Sequence, residues 1–191
     1  MSLQAPHTGG GLTYLKMSEG SFYLTTDKEK ENPFESLTGT ITKLEYRMDT
    51  FQDAQVEKLY VFVHSDKTYT FNLGLKSSAY TNFVGFLKNA DLSKPLTISL
   101  AKEVYDNGKI GSKIFVEQGG KSMKSYFRKD GGFELPKVDV VTLPSGKTVK
   151  DGGLRENKVK EYVNTMNATL TQPTSVEQPQ PPQQGGDDLP F

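Results

Sequence analysis

The 191-residue chain contains neither cysteine nor tryptophan. Without cysteine, disulfide scaffolds, thiolate metal sites and cysteine nucleophiles are excluded. Without tryptophan, Tyr and Phe must build both the core and any ring platform. There are two histidines, His7 and His64. His7 sits in a glycine-rich leader, which argues against a histidine metal site, so no cofactor is expected. No apolar run reaches the length of a membrane span. The opening MSLQAPHTGGG lacks the apolar core of a signal peptide, and a soluble cytoplasmic protein is expected. Acids are scattered with no histidine beside them, so no enzyme is expected. Ser145-Gly146-Lys147-Thr148 resembles the end of a phosphate loop. That motif, however, needs glycine five residues before Gly146, where Val141 stands.

Charge of one sign is also missing locally. The chain balances 23 basic against 23 acidic side chains. From Thr171 onward there are three acids, Glu177, Asp187 and Asp188, and no Lys or Arg. Residues 1–170 therefore hold 23 basic and 20 acidic side chains, a net of +3. A mildly basic body with an acidic tail suggests a polyanion ligand.

Residues 1–13 read as a flexible leader, and 14–24 as a short strand or hairpin. A long extended segment rich in Thr, Ile, Tyr and Phe follows from Leu37, interrupted by Gly39; a glycine in such a strand suits a barrel corner. The alternating stretches 58–64 and 68–75 read as a hairpin. If Asp66 and Lys67 form its turn, Tyr60, Phe62, His64, Tyr69, Phe71 and Leu73 share one face. Ser77-Ser78 can cap a helix whose Tyr80, Phe83, Val84 and Leu87 recur at helical spacing and form a core stripe. Strands are expected at 96–104, 112–118 and 122–128, the last two joined by Gly119-Gly120. A short hairpin fits 137–149, and 154–170 reads as a helix with Val159, Tyr162, Val163 and Met166 on one stripe.

Strand, hairpin, helix, strand, strand is the order of an oligonucleotide/oligosaccharide-binding (OB) barrel of five strands, mainly β, with its helix between strands three and four. Residues 14–153 are assigned to that domain, 154–170 to a C-terminal helix, and 171–191 to a disordered Pro/Gln-rich linker with an acidic tip. Single-strand binders need rings for bases to stack on and cations to follow phosphates. Lys43 and Arg47 alternate on the first strand; Lys58, Tyr60 and Phe62 share a face of the second, and Tyr69 of the third strand is expected on that same face. Lys113, Phe115, Lys121, Lys124, Tyr126 and Arg128 supply the same mixture on the last pair. These residues are the candidate nucleic-acid face.

The chain closes with Asp187, Asp188, Leu189, Pro190 and Phe191. A ring at a polar terminus stays wet unless a partner provides a pocket, so these residues read as a peptide to be captured by other proteins. This ending, the linker and the strand order together resemble single-stranded-DNA-binding proteins of bacteria and their phages, and a divergent phage-encoded member above all. The chain departs from them in lacking the tryptophans on which bacterial members stack DNA. The resemblance implies sequence-independent binding and protection of single-stranded DNA in replication, recombination and repair, with the tip recruiting partner proteins. A strand-annealing protein and an adaptor without DNA binding are the alternatives. Oligomeric state is left open.

Overall fold

The computed structural model describes residues 11–26, 30, 32–127 and 133–170. Leader residues 1–10, Arg128, and the linker and tip from Thr171, with Asp187, Asp188, Leu189, Pro190 and Phe191, lie outside the described residues.

The chain is mainly β, with one large mixed sheet. In chain order its strands are β1 (Thr13–Ser18), β2 (Ser21–Leu24), β3 (Ser36–Phe51), β4 (Ala54–His64), β5 (Thr68–Gly74), β6 (Leu96–Val104), β7 (Ile110–Gln118) and β8 (Lys121–Ser122). Helix α1 (Ser78–Leu87) connects β5 to β6. A separate two-stranded ribbon, β9 (Asp139–Thr142) and β10 (Thr148–Asp151), precedes α2 (Gly153–Leu170). The large sheet runs β2-β1-β5-β4-β3-β6-β7-β8. Among the described residues only β1 and β5 pair in parallel. Among the described residues the sheet stays open, with eight strands where a closed barrel of five was expected.

Strand β3 serves two neighbours. Its first part pairs with β6, from Ser36↔Ser99 to Gly39↔Leu96, and the rest pairs with β4, from Thr40↔His64 to Phe51↔Ala54. At the changeover the backbones crowd together. A Cβ on Gly39 would lie 2.3 Å from the His64 carbonyl oxygen, so only glycine fits. Two residues on, the register shifts between Ile41 and Lys43, and Thr42 is the extra residue of a bulge. The bulge changes which parity points inward. Leu37, Gly39 and Ile41 face the core before it, and Leu44 and Tyr46 after it, which turns Lys43, Glu45 and Arg47 outward.

The β4–β5 hairpin corrects the expected facing. Its turn takes three residues, Ser65, Asp66 and Lys67, and His64 pairs with Thr68. One residue of slip reverses every side chain of the second strand. Tyr69, Phe71 and Leu73 therefore join Leu59, Val61 and Val63 in the core, while Thr68, Thr70 and Asn72 share the outer face with Tyr60 and Phe62.

In α1, Ser77 caps the helix by accepting from the Tyr80 N–H at 3.1 Å. Tyr80, Phe83, Val84 and Leu87 are buried, as their spacing requires. Of the expected strand at 122–128, only Ser122 lies in a strand among the described residues, because the chain leaves the sheet for α1. The Tyr126 N–H donates to the Gly85 carbonyl at 2.8 Å, and a Cβ on Gly85 would collide with the Ser125 hydroxyl. Helix α2 shares the same core: Val159, Val163 and Met166 are buried, with Tyr162 packed against them. Its Asn167 side-chain oxygen accepts from the Leu44 N–H at 3.2 Å, and Lys160 reaches Glu57 at 2.6 Å. Beneath it the Tyr46 and Tyr80 hydroxyls meet at 2.8 Å, and burial pushes the Tyr80 hydroxyl up to about 12.

Gly39→Ala forces the β3–β4 backbones apart. It is expected to destabilise the chain by about 1–3 kcal/mol, read as a lowered denaturant midpoint with an unchanged slope.

Candidate nucleic-acid interface

The bulge and the hairpin register bring five strands' outward residues onto one face. Cross-strand pairing sets out the rows: Tyr14 beside Thr70, Thr70 beside Phe62, and Phe62 beside Lys43. In the next row Tyr23 pairs with Lys16, and Asn72 with Tyr60, which pairs with Glu45. Lys58 and Arg47 pair in the row below. Rings and cations are intermixed across these rows. Leu15, Lys16, Met17, Ser18, Tyr23, Lys30, Lys58 and Asn72 line a concavity of about 470 Å³ at one side of this face.

The cations lie on the rings. The Arg47 guanidinium is 5.0 Å from the centre of Tyr60 and 5.3 Å from that of Phe62, and the Lys43 ammonium is 5.6 Å from Phe62. Lys30 lies 5.6 Å from the Tyr23 ring. This cover leaves Phe62 only 8% exposed, although it points outward, whereas Tyr14 is 43% exposed. Thr70, between Tyr14 and Phe62, is fully buried, and its hydroxyl has no hydrogen-bond partner.

Two carboxylates hold the cations. Glu45 accepts from Arg47 Nε at 2.9 Å and pairs with Lys43 at 3.2 Å. The hydrogen bond from Arg47 holds the Glu45 carboxyl below its ordinary value. Asp49 pairs with Lys58 at 2.9 Å and accepts from the Tyr60 hydroxyl at 2.7 Å. Lys58, then Tyr60, lower the Asp49 carboxyl against the opposing effect of burial, while burial and Asp49 raise the Tyr60 hydroxyl.

Of the residues singled out in the sequence, Lys43, Arg47, Lys58, Tyr60 and Phe62 meet on this face. Tyr69 does not; it is 1% exposed and fills the core. Lys113 and Phe115 point outward from β7, with the ammonium 5.5 Å from the ring, and two strands separate them from Phe62. Lys121 is exposed on β8. Lys124 is exposed beyond the sheet, and its carbonyl accepts from Asn89 at 2.9 Å. Tyr126 lies in no strand. Its ring is parallel to Phe133 at 6.2 Å and edge-on to Tyr162 at 5.6 Å, in a cluster that fastens the chain to α2. Tyr14, Lys16, Tyr23 and Lys30 were missed. The alternation of Tyr14-Leu15-Lys16-Met17 places Tyr14 and Lys16 on one side of a strand. Only the parallel pairing with β5 reveals which side of the molecule that is.

Among the described residues no group of His, Cys, Asp and Glu is placed to hold a metal ion, and no helix is long and apolar enough to cross a membrane. No protein family, curated protein or solved structure matches this chain.

The Asp49 pairings give a signed pH dependence. A carboxyl held low in the fold stabilises above its ordinary value of 3.8, and that contribution is lost as pH falls through the lowered value. Asp49→Asn should therefore flatten the acid limb of the stability curve. It should also bring Tyr60 part of the way back toward 10.0, leaving the effect of burial. The check is spectrophotometric titration of each background with and without Tyr60→Phe.

Proposed function

We propose that this chain binds single-stranded DNA without sequence preference, as a binder and not an enzyme. The observation that carries this reading is the face on which Tyr14, Tyr23, Tyr60 and Phe62 interleave with Lys16, Lys30, Lys43, Arg47 and Lys58. Stacking on such rings contributes roughly 1–3 kcal/mol per base and is indifferent to sequence, and the cations follow the phosphates. Lys113, Phe115, Lys121 and Lys124 extend the same reading toward β7 and the chain beyond β8, whereas Tyr126 is taken up by its cluster with Phe133 and Tyr162.

The architecture is consistent with a modified OB barrel. The order β3, β4, β5, α1, β6, β7 fits it, as does a first strand paired with both the second and the fourth. In this reading the β1–β2 hairpin fills the seam that β5 and β7 would otherwise close. It pairs with β5, and its Gly20 N–H donates to Ser112 of β7 at 2.9 Å. Asp187, Asp188, Leu189, Pro190 and Phe191 recruit replication and recombination proteins in a cytoplasmic setting, by burying the ring and leucine and pairing the acids with partner cations.

Oligo-dT should quench tyrosine fluorescence, with affinity falling as salt rises. The double variant Lys16→Glu/Lys43→Glu should weaken binding about tenfold or more and flatten the salt slope, and Lys124→Glu should cost less. Duplex binding as tight as single-strand binding overturns the reading. An adaptor that binds no nucleic acid would show no quenching in any variant.

Deleting residues 185–191 should abolish capture of replication and recombination proteins from cell extract. Affinity for oligo-dT should stay equal or rise, since the deletion removes Asp187 and Asp188. A loss of DNA affinity would assign the tip another role.

A further inference from the structure

The β9–β10 ribbon stands apart from the large sheet; among the described residues its strands pair only with each other. Among the described residues it also exposes more large apolar side chains than any other element. Val140 is 64% exposed, Val141 46%, and Leu143 and Val149 41% each. A lone two-stranded ribbon is marginal in water, and its free edges offer unpaired N–H and C=O groups to another strand.

The phase of the ribbon's hydrogen bonds shows what each edge presents. The Leu143 N–H donates to the Lys147 carbonyl at 2.9 Å, so 143 and 147 form a hydrogen-bonded pair. Such pairs alternate with non-bonded ones in an antiparallel ladder. Val141↔Val149 and Asp139↔Asp151 are therefore bonded within the ribbon, and Thr148 and Lys150 point their backbone groups outward from β10.

We propose that β10 pairs with β10 of a second copy of this chain, about a two-fold axis through Val149. Thr148 then faces the partner's Lys150, and Lys150 the partner's Thr148, each exchanging the outward N–H and C=O groups. Val149 meets the partner's Val149 as a non-bonded pair, where side chains approach most closely. The register is also self-complementary in charge. Lys147 and Asp151 are exposed and lie on the same side of the strand as Val149. The two-fold sets Lys147 opposite the partner's Asp151, and Asp151 opposite the partner's Lys147. One Asp151 oxygen, Oδ1, accepts from the Gly153 N–H at 2.9 Å, leaving Oδ2 for the ammonium. With Val141 beside each Val149, an apolar stripe crosses the joined sheet β9-β10-β10-β9. The other free edge offers nothing comparable. A two-fold through Val141 of β9 sets Asp139 opposite Leu143 and pairs no charges. The interface is isologous, so it closes as a dimer and does not propagate.

This inference stands apart from the reading of the large sheet, and sedimentation equilibrium of the full chain tests it without DNA. The wild type should be dimeric. Val149→Asp, which puts like charges on the axis, should leave only monomer. Lys147→Asp and Asp151→Lys should each raise the dissociation constant about tenfold or more, and the double exchange Lys147→Asp/Asp151→Lys should recover most of that loss. Far-ultraviolet circular dichroism must stay unchanged, since Asp151 also caps the start of α2. A wild type that is monomeric throughout, a dimer indifferent to Val149→Asp, or a double exchange no tighter than the single ones overturns the proposal.

Discussion

The fold depends on one strand having two sets of neighbours. β3 must leave β6 and take up β4 within a few residues, and the close approach of the His64 carbonyl leaves no room for a side chain where it does so. Gly39 satisfies the steric condition and the Thr42 bulge the geometric one. The bulge has a second effect, since it resets the alternation so that Leu44 and Tyr46 reach the core beneath α2. Lys43 and Arg47 thereby reach the outer face beside Phe62 and Tyr60. The core and the candidate interface thus hang on the same irregularity.

Helix α2 extends that core. It lies against β3 and α1, with Val159, Val163 and Met166 buried and the Tyr46–Tyr80 hydrogen bond at its base. A residue such as Asn167 links the helix to the Leu44 N–H just after the bulge, where an irregular strand needs an outside acceptor. The aromatic cluster of Tyr126, Phe127, Phe133 and Tyr162 attaches the chain beyond β8 to the same helix. Tyr126, a candidate stacking platform in the sequence, is taken up by this cluster.

Local chemistry made much of the fold legible. The capping serine, the stripe of α1, the hairpin from 58 to 75 and the terminal helix all follow from neighbours within a few residues. What failed was parity and distance. Whether the β4–β5 turn takes two residues or three decides the facing of Tyr69, and no residue in the turn settles that choice. Strand 122–128 fails because its partner is the Gly85 carbonyl on α1, a contact unrelated to β propensity. Tyr14 and Lys16 were invisible as candidate site residues because a parallel pairing across more than fifty positions brings β1 beside β5, and Tyr23 and Lys30 reach the face only through their contacts with each other and with β1.

The carboxylates on the outer face carry their own consequence. Glu45 and Asp49 act as built-in counterions for Arg47, Lys43 and Lys58, so much of the local charge is neutralised before any ligand arrives. A lone phosphate must compete with a tethered carboxylate and gains little. If the face takes a nucleic acid as proposed, a chain of phosphates spaced along the rows would displace both at once while its bases seek the rings. On the proposed reading, such a face would discriminate by the length and continuity of an anion more than by its charge alone.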